Sequence, residues 1–292
     1  MSSTNTSSIA GGLPTVSQDI APSVIFLILY FVTNAVCIWR MISQYRKPLR
    51  MLLSFIRIQL FESVRVVTMI LRIVGAVNYT NTLKGTASIN ESLIIAEQIL
   101  LSVGYLMIAS TLIKLTAFHE ARGTGGVIPK QRRTVTGVLD LAIIVAIIFG
   151  IIAGTNYSKS LTDASTANSV RNDRKISAII VLVVLALLIG YNALLSTRPD
   201  LPRKTSFWLI ICSALLIVVP AYRLAQTLNP PSDSDSTGQK VAFYILQVAM
   251  EWLASTAILA VNAKEWCGVD DYTGLKTTGS DQYMMGEQTY QA

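Results

Sequence analysis

KVAFYILQVAMEWLASTAILAVNAK, residues 240–264, is an apolar run of membrane-spanning length with a carboxylate inside it. About 20 apolar residues cross a bilayer as a helix, and here the carboxylate of Glu251 falls near the middle of such a run. At helical spacing Tyr244, Gln247, Glu251, Ser255 and Asn262 share one face, while Leu246, Val248, Leu253, Leu259 and Val261 cover much of the remainder. An ionisable group at that depth costs a few kcal/mol at least, so it faces other helices and is a functional candidate by default.

Working outward, comparable apolar runs occupy residues 22–42, 51–77, 92–118, 134–155, 176–197 and 205–228, and the last covers 241–263. Each is long enough for a transmembrane helix, which predicts an all-α, polytopic bundle of seven helices over residues 21–264. Residues 1–20 lack the basic start and short apolar core of a cleavable signal and read as a polar tail. Residues 265–292 read as a polar, acidic, disordered tail.

Composition agrees with this reading. Hydrophobic residues make up 52% of the 292 residues and charged residues 14%, far from the balance of an ordinary soluble domain. The net charge of +7 lies mostly in short segments between apolar runs, which argues for membrane topology and against nucleic acid. Cys37, Cys212 and Cys267 and the single histidine, His119, offer no disulfide framework and no metal motif. No cofactor is implied.

Two signals orient the bundle. Arg40, Arg46, Lys47 and Arg50, then Arg122, Lys130, Arg132 and Arg133, then Arg198, Arg203 and Lys204 fall on one side, which is read as cytoplasmic. Lys159, Arg171, Arg174 and Lys175 fall on the other and oppose it. The N-x-S/T sequons at Asn5, Asn78, Asn90 and Asn156 all lie on that opposite side, as glycosylation sites require. The N-terminus is therefore expected outside and the C-terminus inside, with Cys267 placed for palmitoylation. The plasma membrane is the expected location, and other secretory-pathway membranes fit the same signals.

The second run holds Arg57, Glu62, Arg65 and Arg72, the last three within one stripe. At 1.5 Å per residue, Glu62, Arg65 and Glu251 come near the midplane. Arg72, Glu97 and Arg223 lie about two turns outward, and Arg57, Lys114 and Asp140 lie towards the cytoplasm. Each layer holds both signs, which predicts contacts of Glu251 with Arg65 or Glu62, and of Glu97 with Arg72 or Arg223. The cluster either knits the helices together or lines a polar path for a headgroup or for protons.

Receptor motifs are missing from the third and seventh runs, and the seventh has no interior lysine for a retinal Schiff base. RVVTMILRIVGAV in the second run, PAYRLAQTL in the sixth and Glu251 in the seventh resemble fungal seven-span integral membrane proteins and, more distantly, the fungal RTA-like lipid-translocating exporters. The resemblance implicates Tyr222, Arg223 and Glu251 and implies lipid translocation. The expected function is binding or moving an amphipathic, lipid-like small molecule through Glu62, Arg65, Arg72, Glu97, Tyr222, Arg223, Gln247 and Glu251, with membrane lipids as the other partners. A receptor-like sensor and an intramembrane enzyme, such as an isoprenoid cyclase with a carboxylic acid as proton donor, are the alternatives. Basic partners at the same depth weigh against the enzyme.

Overall fold

The computed structural model describes residues 10–46, 48–123, 130–160, 163–230 and 235–269, without the side chains of residues 130–133 and Ser158. Asn5, Lys47 and the tail from residue 270 lie outside the described residues. The chain is all-α. Seven long helices follow one another: α1 (Val16–Ser43), α2 (Leu49–Leu83), α3 (Glu91–Arg122), α4 (Lys130–Thr155), α5 (Ala164–Ser196), α6 (Arg203–Leu228) and α7 (Thr237–Ala260). Single helical turns at Tyr157–Ser160 and Ala263–Trp266 follow α4 and α7.

All the helices but α2 are long and apolar enough to cross a membrane, so the protein is a multi-pass membrane protein. Arg57, Glu62, Arg65 and Arg72 interrupt the apolar runs of α2 and keep it out of that group. Several helices outrun their apolar cores. The fifth apolar run begins at residue 176, but α5 begins at Ala164, because Asp163 caps it and the polar residues that follow tolerate helix. Asp163 accepts from the backbone N–H of Ser165 at 3.0 Å and of Thr166 at 3.2 Å. Hydrogen bonds from Thr166 and Ser165 hold its exposed carboxyl down to about 2. At the other extreme α2 runs on to Leu83 and stops where Gly85 turns left-handed.

Sequential helices pack side by side, α1 returns against α7, and α3 touches α2, α4, α5, α6 and α7. The sequence of α3 suits this central place, since Leu101, Gly104, Tyr105, Leu106, Thr111, Ile113, Ala117 and Ala121 are buried and fall round most of the helix. Outward faces are apolar instead: Ile25, Phe31 and Ile42 on α1, Leu141 and Ile148 on α4, and Leu187 and Leu194 on α5 are exposed as a lipid-facing surface.

Two local features shape the interior. In α7 the turn Tyr244–Ala249 is π-helical, a distortion that often accompanies function. Ahead of α1, residues 11–14 are buried between helices and not held out as a tail. Gly11 has φ 78°, and a Cβ there would meet the Phe243 ring at 2.8 Å, so only glycine passes.

Candidate functional site

The buried charges fall into layers, called outer, middle and inner after the orientation expected from the sequence. In the outer layer Arg72 of α2 donates from Nη1 to Glu97 Oε1 of α3 at 2.6 Å, and from Nη2 to Asp19 Oδ1 of α1 at 2.6 Å and to Gly11 O at 2.7 Å. Its Nε reaches Asp19 Oδ1 and the Tyr244 hydroxyl, both at 3.0 Å, and its guanidinium lies 4.5 Å from the Phe243 ring centre. Lys240 Nζ donates to Asp19 Oδ2 at 2.5 Å, Leu13 O at 2.8 Å and Thr15 Oγ1 at 3.0 Å. Two acids and two bases therefore cancel, and the N-terminal segment is pinned through its carbonyls.

In the middle layer Arg65 Nε donates to Glu251 Oε2 at 2.6 Å, with both side chains fully buried. Arg65 Nη1 and Nη2 donate to the carbonyls of Leu100 and Leu101 at 3.0 and 3.4 Å. The guanidinium rests on Gly104, where a Cβ would come within 2.8 Å of it. Glu62 Oε2 lies 2.7 Å from Thr33 Oγ1 of α1. Buried atoms without a hydrogen-bond partner gather here: Glu62 Oε1, Glu251 Oε1 and both amide atoms of Gln247. In the inner layer Lys114 pairs with Asp140, and Arg57 joins them through Ser110 at 2.7 and 3.1 Å.

Sequence reasoning offers Arg65 or Glu62 to Glu251 and Arg72 or Arg223 to Glu97; the structure pairs Glu251 with Arg65 and Glu97 with Arg72. It misses Asp19 and Lys240, which sit beyond the apolar runs but turn inward from the first helical turns of α1 and α7. It also places Arg223 among the mutually neutralised charges, whereas Arg223 has no carboxylate within ion-pair distance among the described residues. Its Nη1 donates to Leu101 O at 2.7 Å and its Nη2 to Ser102 Oγ at 2.8 Å, with Tyr105 5.4 Å beneath the guanidinium.

Arg223 and the buried Tyr222 line a cavity of about 310 Å³ that also takes in Ser102, Asn168, Arg171, Arg174, Ser177 and Gln226, with no Asp or Glu among its described lining residues. Arg171 reaches across from α5 to cap α6, donating to Thr227 O at 2.9 Å and Leu228 O at 3.0 Å. Read as loop residues, Arg171 and Arg174 carry no message in the sequence. Their spacing does: Asn168, Arg171, Arg174 and Ser177 form one i, i+3 row along α5.

The remaining candidates are dispersed. Asn90 is exposed at the start of α3, Asn78 is half-buried with its amide donating to Ser88 O at 3.3 Å, and Asn156 is half-buried after α4. Cys267 is buried, with its thiol 3.7 Å from Leu115 O, and burial pushes the thiol up to about 12. In this fold it is not presented to an acylating enzyme.

No curated protein and no solved structure matches the chain. One family model matches residues 15–264, from the start of α1 through α7, and so spans every layer just described. The chain belongs to that family, the Domain of unknown function (DUF7702) family.

Proposed function

We propose that this protein binds or translocates an anionic amphipathic molecule within the membrane, with the headgroup taken into the cavity between α3, α5 and α6. The observation that carries this reading is the cavity's charge: Arg171, Arg174 and Arg223 line it and no described carboxylate does. Guanidinium groups offer forked donors suited to carboxylates and phosphates. Serine, asparagine and glutamine around them supply neutral donors and acceptors. The likeness of Tyr222 and Arg223 to the lipid exporters' motif points the same way.

In this reading α2 is a seventh span, its charges sheltered by its neighbours, with the N-terminus outside and the C-terminus in the cytoplasm. The sequons at Asn78 and Asn90 and the basic segments at the opposite helix ends support that orientation. Of the acids a cyclase would use, Glu97, Glu251 and Asp140 each lie against a guanidinium or an ammonium, which supports binding over proton donation at those three; Glu62 has no such ion pair among the described residues.

Mass spectrometry of the lipids that copurify in mild detergent tests the proposal. One anionic amphiphile should be enriched by the wild type and lost from Arg223→Gln and Arg171→Gln, but kept by Arg57→Gln. The same lipids in all four proteins would refute it.

A further inference from the structure

Among the fully buried acids of the outer and middle layers, Glu62 alone has no basic partner among the described residues. Asp19 and Glu97 are held by Arg72 and Lys240, and Glu251 by Arg65. Arg65 is on the same helix as Glu62, three residues on, but its three nitrogens are turned to Glu251 and to the carbonyls of α3. Ionised, Glu62 would be a fully buried charge with Thr33 in hydrogen-bond contact and only the Ser255 hydroxyl, bonded to Trp252 O, beside it, a state whose desolvation costs several kcal/mol.

A count of hydrogens leads to the same place. Thr33 Oγ1 lies 2.7 Å from Glu62 Oε2 and 3.1 Å from both Leu29 O and Tyr30 O. A hydroxyl has one proton, and a threonine within a helix commonly gives it to a carbonyl of its own preceding turn. If Thr33 does so, the 2.7 Å contact needs a second proton, and Glu62 is its source. That distance is typical of O–H···O. A neutral carboxyl needs one acceptor here, and Thr33 is it.

We propose that Glu62 is a proton-binding site in the middle of the bundle. It carries its proton while Arg65 is paired with Glu251; once deprotonated, it competes with Glu251 for the guanidinium. The groups around it are accounted for. Thr33, Tyr30 and Cys37 face it from α1, Arg65 from α2, and Ser255 and Glu251 from α7; α3 presents the Leu100 and Leu101 carbonyls to Arg65. The orphaned atoms of Gln247 and Glu251, at and just after the π-helical turn, are where water would sit to pass a proton on.

Infrared spectroscopy of the full-length protein in lipid nanodiscs at neutral pH reads the site through the C=O stretch of a protonated carboxyl. The wild type should show one such band, shifted in heavy water. It should vanish in Glu62→Gln, weaken in Glu251→Gln as the freed Arg65 turns to Glu62, and persist in Asp140→Asn. Absence of the band from the wild type, or its survival in Glu62→Gln, overturns the proposal. A full band in Glu251→Gln overturns the competition for Arg65. Thermal unfolding is a second reading, because glutamine copies the neutral acid. Glu62→Gln should unfold at the wild-type temperature, and loss of folded Glu62→Gln protein would count against a resident proton.

Discussion

Replacing Arg65 by leucine tests the middle layer most directly. The change removes the 2.6 Å ion pair and leaves Glu251 fully buried with no hydrogen-bond partner on Oε1. Breaking a buried pair from one side typically costs about 3–5 kcal/mol, because the surviving charge stays desolvated. Glu251→Gln is the milder break: no carboxylate is stranded, Nη1 and Nη2 of Arg65 keep the Leu100 and Leu101 carbonyls, and the freed Nε turns to Glu62. A hydrogen bond to a charged group contributes roughly 1.5–3 kcal/mol, which bounds that loss from above. For a chain of this size 1 kcal/mol moves the unfolding midpoint by about 2–4 °C. Arg65→Leu should therefore lower it by on the order of 6–20 °C, and Glu251→Gln by clearly less. In the double variant the stranded charge is gone, so its loss should fall below the sum of the two, by about 1–3 kcal/mol. Thermal unfolding of the four proteins in one detergent, read by intrinsic fluorescence, decides the matter. Equal shifts for the two single variants, or strict additivity, would refute the pairing as an energetic unit.

Other expectations follow from the same geometry. Gly104→Ala places a Cβ within 2.8 Å of the Arg65 guanidinium, and the overpacking should cost about 1–3 kcal/mol in the same unfolding assay. Gly11→Ala meets both a left-handed φ of 78° and the Phe243 ring, so it should expel the N-terminal segment and speed thiol labelling of a Leu13→Cys reporter many-fold. Cys267, its thiol pushed up to about 12 by burial, should resist maleimide at neutral pH in the folded protein and react after denaturation. The folded Asp163 carboxyl is held below its ordinary 3.8, so its cap is present above that pH and is lost as pH falls towards about 2. Hydrogen exchange at Ser165 and Thr166, corrected for its intrinsic pH dependence, should show loss of protection across that interval and no comparable loss in Asp163→Asn.

Depth along a helix is a one-dimensional quantity, and the linear chain carries it. Rank within an apolar run at 1.5 Å per residue places Arg65 level with Glu251, and Arg72 level with Glu97, before any packing is known. Local distortion is not carried in the same way. The apolar period across Tyr244–Ala249 predicts helix without marking the π-helical turn, the buried residues 11–14 have no apolar period of their own, and both depend on what lies opposite. Apolar length also misreports helix length, because it measures the hydrocarbon crossing and not the hydrogen-bonded ladder. The early start of α5 is the costliest case, since it turns two supposed loop arginines into cavity lining.

That the protein is an all-α membrane bundle, and which of its charges share a layer, is legible in the linear chain, since hydropathy and rise per residue are properties of the chain. Which acid at a given depth meets which base emerges only when the helices pack. Asp19, Glu97 and Lys240 converge on or beside Arg72, Arg65 takes Glu251 and leaves Glu62, and Arg223 turns to a cavity instead. The rotation of each helix about its axis and the choice of its neighbours set those pairings, and both arise from side-chain packing across seven helices at once.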